Sequence, residues 1–319
     1  MEKLFLLVFL IIGLLAIPYF YQIYNLKKIT IDDIPESGSW VNLSRGHIYY
    51  EWFFPKNELE YKGTLVLVHG FSTPSFVWRG LINQFLDKGF KVLVYDHFGR
   101  GYSERPRIPY DKDLYVETLR ELITSQEIEE KVHLVGYSMG GPIVGHYAES
   151  YPEHTKSASL IAPAGFSKIS PSTGSWITMP IIGDWFWRVF SHRLYGVGNM
   201  SETQFSDDPL SINEDEFLPL FQKQLVFTGF NESLLSTVRN FNLFDAREMY
   251  RSLNNKNVPI SAIWGTLDGV VPYSGSEEFK KIFPNGRLIT IEEGTHDVTY
   301  RQPTQVGRAI IDFIDSHQD

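Results

Sequence analysis

The sequence predicts an α/β protein: a mostly parallel, eight-stranded sheet flanked by helices, with a helical insertion and an apolar N-terminal segment. Three observations carry that prediction. Short continuous apolar runs, of the kind that fill buried parallel strands, alternate with helical patterns over residues 64–161 and again over 259–314. Between those regions, over 166–250, the alternation stops and aromatic residues crowd in. Ahead of both lies an uncharged apolar stretch from Leu4 to Tyr21. The expected division is therefore 1–29 as anchor and flank, 30–165 as the first part of the sheet domain, 166–250 as a helical cap, and 251–319 as the second part of the sheet domain.

At ~1.5 Å per residue, the stretch from Leu4 to Tyr21 just crosses a hydrocarbon core. Tyr19, Phe20, Tyr21 and Tyr24 suit the membrane interface, and Lys27 and Lys28 follow them. No small-x-small cleavage site follows the run, so a single-pass N-terminal membrane anchor is expected rather than a signal peptide. Lys3 and the N-terminal amine balance Lys27 and Lys28, which leaves orientation and compartment unassigned. Sequons at Asn42, Asn199 and Asn231 permit a lumenal or extracellular face, but they are close to what chance supplies.

Residues 40–53 alternate as strands do, with Arg45-Gly46 as the turn between two of them. The run 64–68 reads as a buried strand ending at His69-Gly70-Phe71, and a helix follows over 78–88. The next strand, 91–95, stops at Asp96-His97-Phe98-Gly99-Arg100-Gly101-Tyr102-Ser103. A helix from Asp113 to about Ser125 leads to the strand before Ser138, then come a helix over 142–151 and a strand over 155–161. In the insertion, Trp176, Trp185, Phe186, Trp187, Phe190, Phe205, Phe217, Phe221, Phe227 and Phe230 are expected mostly to form the cap's own small core, a few lining an apolar tunnel. A strand over 259–264, a helix over 274–283, a strand over 288–291 and an amphipathic helix to about Ile314 close the chain.

Composition excludes several classes. With 319 residues, 43% of them hydrophobic and 15% aromatic, the chain has material for a large core and is not a disordered or collagen-like polymer. A net charge of −9 opposes binding to nucleic acid. The absence of cysteine removes disulfides, a thiol nucleophile and cysteine-ligated metal. His97, His133, His146, His154 and His192 show neither H-E-x-x-H nor H-x-x-E-H spacing, so no metal is expected. No G-x-G-x-x-G follows a strand, so no nucleotide cofactor is expected either.

The chemistry is concentrated in Val132 to Pro142, Val-His-Leu-Val-Gly-Tyr-Ser-Met-Gly-Gly-Pro. A short apolar strand ends, one serine stands between small neighbours, and a helix begins, which is the arrangement of a nucleophile elbow at Ser138. Gly136 and Gly140 are needed there because a Cβ at either would crowd so tight a turn. Serine is a poor nucleophile without a base, and the base needs an orienting carboxylate. His296, in Glu293-Gly294-Thr295-His296, would be the general base, and Asp268, in Gly265-Thr266-Leu267-Asp268, would hold its tautomer. Each stands at the C-terminal end of a predicted strand. An acid after the strand 155–161 is excluded, because that end offers only Ala162, Pro163, Ala164 and Gly165. Glu292, Glu293 and Asp297 are too near His296 in sequence to reach its far nitrogen. The backbone N–H groups of Phe71 and Met139 are the expected oxyanion donors, while His69 is expected to be structural.

These residues resemble the α/β-hydrolase family from about Trp40 to the C-terminus: His69-Gly70-Phe71, the Asp96 to Ser103 stretch, Gly136-Tyr137-Ser138-Met139-Gly140-Gly141, Asp268 and His296. Within the family the chain is similar to N-terminally anchored serine hydrolases of the monoacylglycerol-lipase kind. That resemblance implies cleavage of an apolar carboxylic ester through an acyl-enzyme, with a small-molecule substrate and no cofactor. The same triad also serves C–C bond and thioester hydrolases, and the fold serves slow-hydrolysing ligand receptors. A serine at 138 separates the chain from epoxide hydrolases and haloalkane dehalogenases, which carry aspartate there. Asp297 after the base departs from the family's usual small or apolar residue.

Overall fold

A computed structural model of the chain describes residues 1–56, 60–167, 178–194 and 206–317. Trp176, Asn199 and Phe205, and the side chain of His192, lie outside the described residues. The strands are β1 (Ser39–Leu43), β2 (Gly46–Phe53), β3 (Gly63–Val68), β4 (Phe90–Tyr95), β5 (Val132–Tyr137), β6 (Thr155–Ile161), β7 (Ile260–Gly265) and β8 (Arg287–Ile291). They form one eight-stranded sheet in the order β1-β2-β4-β3-β5-β6-β7-β8. Among the described strands, the β1–β2 and β2–β4 pairs are antiparallel and the others parallel. Gly46 makes the β1–β2 turn at φ 133, a conformation that side chains other than glycine's avoid.

The helices are α1 (Glu2–Tyr24), α2 (Arg79–Leu86), α3 (Lys112–Ser125), α4 (Gly140–Ser150), α5 (Ile182–Leu194), α6 (Glu214–Gln222), α7 (Phe230–Asn240), α8 (Arg247–Asn254), α9 (Gly275–Ile282), α10 (Val298–Arg301) and α11 (Pro303–Asp315). Strand periodicity sorts the core into two layers. Leu65, Leu67, Val92 and Val94 face Leu81 and Phe85 of α2 and Ile310 and Phe313 of α11. Val66, Val68, Leu93 and Leu134 face Leu119 of α3 and Ile143 of α4 on the other side. Each such aliphatic side chain contributes ~1.5–3 kcal/mol on leaving water, so the sheet's centre is the rigid base on which the strand ends stand.

The segment between β6 and β7 differs from expectation in two respects. Phe217, Phe221 and Phe230 join the core of the sheet domain rather than a separate one. Phe217 stacks on Tyr300 with ring centroids 5.0 Å apart and meets Phe76 edge-on. The short helices described in this segment bury too little surface to support a core of their own. In addition, α8 runs through the expected boundary at 250: Met249 and Tyr250 pack where Gly145 of α4 leaves room for them. The helix therefore belongs physically to the sheet's flank.

α1 is long and apolar enough to cross a membrane, by length and composition. It does not stand apart from the rest of the chain. Trp185 of α5 donates its indole N–H to the Leu15 carbonyl at 2.6 Å. Just beyond α1, Lys27 pairs as a short strand would, its N–H to the Val226 carbonyl at 3.0 Å and its carbonyl accepting from Thr228 at 2.9 Å.

Candidate active site

Between β5 and α4 the backbone turns at Ser138 with φ 54, in the left-handed region that a serine enters only under constraint. The constraint comes from close approach. A Cβ on Gly136 would lie 2.4 Å from the Gly140 carbonyl oxygen, and one on Gly140 would lie 2.0 Å from that of Val68. The Ser138 N–H is tied to the Ile161 carbonyl at 2.8 Å, and the Ser138 carbonyl accepts from Gly141 at 2.9 Å and Ala164 at 3.1 Å. The hydroxyl is thereby held above the strand ends.

The loops after β7 and β8 are pressed together: the Leu267 N–H bonds the Gly294 carbonyl at 2.8 Å. A Cβ on Gly265 would lie 2.2 Å from that same oxygen, so glycine is required for the approach. This brings Asp268 and His296 to one place. The Asp268 carboxylate is buried and accepts from the Val270 and Val271 N–H groups at 2.9 and 2.8 Å through Oδ1. Its Oδ2 lies 2.9 Å from His296 Nδ1, and His296 Nε2 lies 3.0 Å from Ser138 Oγ. With the carboxylate accepting the hydrogen bond from Nδ1–H, Nε2 is left unprotonated to accept from the hydroxyl. Ser138, Asp268 and His296 thus lie together, 130 residues apart in sequence at the first step and 28 at the second. Asp297 points elsewhere, to Thr295 and to Arg301 at 3.5 Å.

The loop after β3 runs beside the serine, since a Cβ on Gly70 would lie 3.2 Å from that of Ser138. Neither the Phe71 nor the Met139 N–H has a hydrogen-bond partner among the described residues. His69 orients the first of them. Its Nε2 accepts from the His97 N–H at 2.9 Å, so its Nδ1 carries the proton and donates to the Gly70 carbonyl at 2.9 Å, the other end of the peptide that bears the Phe71 N–H. His97 Nε2 in turn donates to the His69 carbonyl at 3.0 Å. Burial holds both imidazoles neutral: it pushes His69 well below its ordinary 6.5, helped by His97, and takes His97 down to about 3.

Three residues that sequence reasoning passed over support this loop. Arg100 is fully buried and donates from Nε to the Phe71 carbonyl at 2.8 Å and from Nη2 to Thr237 Oγ1 of α7 at 2.9 Å. Gln224 donates to the Ser72 carbonyl at 2.9 Å and accepts from the Gly101 N–H at 3.0 Å. Arg100 stands in the stretch Asp96 to Ser103 that carries part of the family resemblance, but an arginine between two glycines reads as an exposed turn. Asp96 holds that stretch, accepting from Ser75 and Tyr102 N–H groups, each at 2.8 Å; burial raises its carboxyl above the usual range.

A serine, an imidazole and a buried carboxylate at the C-terminal rim of a mostly parallel sheet define a class, and the chain belongs to it: residues 63–301 match the model of the alpha/beta hydrolase fold family. The chain is an α/β-hydrolase. Among curated relatives, it is 24% identical over 276 residues to a monoacylglycerol lipase abhd6-B of Xenopus laevis, covering 81% of this chain and 77% of the relative. It is also 24% identical over 270 residues to the AB hydrolase superfamily protein YfhM of Bacillus subtilis, covering 78% and 89%. Among solved structures, a bromoperoxidase from Bacillus anthracis superposes with a TM-score of 0.70 at 21% identity, covering 88% of this chain and 100% of that one. A membrane phospholipase A described as a bacterial virulence factor gives 0.67 at 20% identity and covers 100% of both chains.

Proposed function

We propose that this hydrolase is a membrane-anchored serine esterase or lipase that cleaves an apolar carboxylic ester, a monoacylglycerol being the leading candidate, through an acyl-enzyme. One observation carries the reading: hydroxyl, imidazole and carboxylate form a single hydrogen-bonded chain with steps of 3.0 and 2.9 Å. In that chain Ser138 Oγ attacks the ester carbonyl while His296 Nε2 takes its proton. Asp268 stabilises the imidazolium that forms. The Phe71 and Met139 N–H groups receive the oxyanion, and collapse expels the alcohol with the proton from His296. Water, deprotonated by the same nitrogen, then releases the carboxylic acid and restores Ser138.

The lipase names of the curated relatives support an ester of an apolar acyl chain. Helices α5, α6 and α7 act as the cap that shields the acyl-enzyme from water, and α1 keeps the enzyme where apolar esters partition. The test uses the full chain in detergent micelles with p-nitrophenyl butyrate and octanoate, 2-oleoylglycerol, an acyl thioester and a fluorophosphonate probe. Ester turnover and labelling that both vanish in Ser138→Ala are expected. Labelling with thioester turnover but no ester turnover would reassign the leaving group, and neither labelling nor turnover would overturn the reading.

A further inference from the structure

Where α1 meets the segment that follows β6, Tyr19 and Ile23 form one wall of a cavity of about 430 Å³, and the loop around Arg105 and helices α5 and α7 form the others. The charged side chains lining it are Arg105, Arg107, Arg188, Arg239, Asp184 and Glu232. Arg239 pairs with Asp184 at 3.0 Å, and Arg188 pairs with Glu232. No carboxylate lies within ion-pair distance of Arg105 or Arg107 among the described residues.

Arg105 is the unusual member. Among the described residues its guanidinium donates to the backbone carbonyls of Gly101, at 2.6 Å, and Ser103 alone, and it sits 5.0 Å from the centre of the Phe227 ring. Its Nε is buried with no hydrogen-bond partner. A guanidinium withdrawn from water without a counter-charge is costly unless an anion joins it. The same cavity touches the start of α7, whose N-cap, Gly229, supplies no capping side chain, so the positive end of that helix adds to the field. The excess of cations is local, because the whole chain carries −9.

We propose that this cavity binds a phosphate monoester, presented by a lipid headgroup or free in solution. Two unpaired guanidiniums match the ~1.5–2 negative charges of such a group at neutral pH, whereas a fatty-acid carboxylate would neutralise only one. Position favours the lipid: the cavity lies at the C-terminal end of α1, at headgroup depth if that helix spans a bilayer. The lipid source rests on reading α1 as an anchor; the phosphate site does not.

The test is native mass spectrometry of the detergent-solubilised full chain carrying Ser138→Ala, so that binding is read without turnover and independently of the esterase reading. The ligands are dioleoyl phosphatidic acid, dioleoylglycerol, oleate and inorganic phosphate. Phosphatidic acid should be retained roughly tenfold over dioleoylglycerol and oleate, with the preference lost in Arg107→Glu and in Arg105→Gln. Arg107 is exposed, so its variant tests the site without disturbing the fold. Displacement by inorganic phosphate at equal concentration assigns the source to solution, and resistance to it assigns the lipid. Equal retention of the three lipids, or a preference for phosphatidic acid that Arg107→Glu leaves intact, overturns the proposal.

Discussion

The rim of the sheet and the junction between α1 and the post-β6 segment both bury polar groups, but they satisfy them differently. At the rim, Asp268 has two backbone N–H donors and an imidazole within 2.9 Å, and the serine and histidine complete the chain. At the junction, Arg105 has, among the described residues, two backbone carbonyls and the face of Phe227, none of which neutralises its charge. Strand ends fixed by a two-sided core can hold donors within a few tenths of an ångström of where they are needed. Helices laid over that core, sharing it through Phe217, Phe221 and Phe230, hold charge in place without completing its pairing. The first arrangement suits a reaction and the second suits an arriving ligand.

Disabling the rim gives the largest expected effect. Ser138→Ala should lower kcat/KM for a p-nitrophenyl ester by on the order of 10⁴-fold or more, with the melting temperature little changed, as measured by steady-state assay and thermal unfolding. Asp268→Asn should cost about 10³–10⁴-fold, because an amide in place of Oδ2 stabilises the wrong tautomer of His296 and cannot balance the imidazolium. Its loss should fall on kcat more than on KM.

Most of the rim was legible in the sequence because its requirements are local. A sharp turn between strand and helix needs glycine at 136 and 140, and a relay needs serine, acid and imidazole at strand ends, so residue type and spacing are enough to find it. The placing of β4 between β2 and β3, which sets β3 beside β5, and the meeting of the β7 and β8 loops at Gly265 and Gly294, depend on long-range register and had to be seen. The support behind the loop after β3 was not legible. Arg100 reaches Thr237 across 137 residues, and nothing in a Gly-Arg-Gly turn marks its side chain as buried. Likewise, the aromatics after β6 marked burial but not which core they would enter.

Acid should act on the buried imidazoles: those of His69 and His97 behind the loop after β3, and those of His133 and His146, which burial takes down to about 4. Imidazoles held neutral by burial, His97 at about 3 and His69 also far below 6.5, take up protons in the unfolded chain first. Stability is therefore fully present above pH ~6.5 and falls as pH drops from there toward ~3, by about 1.4 kcal/mol per pH unit for each fully shifted group. Urea midpoints measured between pH 7 and 4.5 should fall, and fall less in His97→Asn. A flat profile would mean that these rings are not buried neutral.

Arg100→Met probes the same support by a smaller step. Without the guanidinium the Phe71 carbonyl loses a donor and α7 loses its tie to the loop, so the Phe71 N–H is no longer fixed in direction. The expected result is a roughly tenfold fall in kcat, a smaller change in KM and slower fluorophosphonate labelling; a matching variant of the loop's other tie, Gln224→Met, should act in the same direction. Unchanged labelling in a folded Arg100→Met protein would make the arginine a packing element only.

Asp297 gives the smallest expected effect on turnover and the sharpest contrast with Asp268. It adjoins the proposed base in sequence, yet its carboxylate faces Arg301 at 3.5 Å and Thr295 rather than the imidazole. Two acids near one histidine should therefore separate cleanly. Asp297→Asn should change kcat/KM by less than about threefold, since no proton in the relay touches it, while costing roughly 1–3 kcal/mol of stability because the buried Arg301 loses its counter-charge. Chemical denaturation paired with the ester assay checks both halves. A large loss of turnover with unchanged stability would mean that the charge at 297, not the hydrogen bond from 268 alone, sets the imidazole's pose.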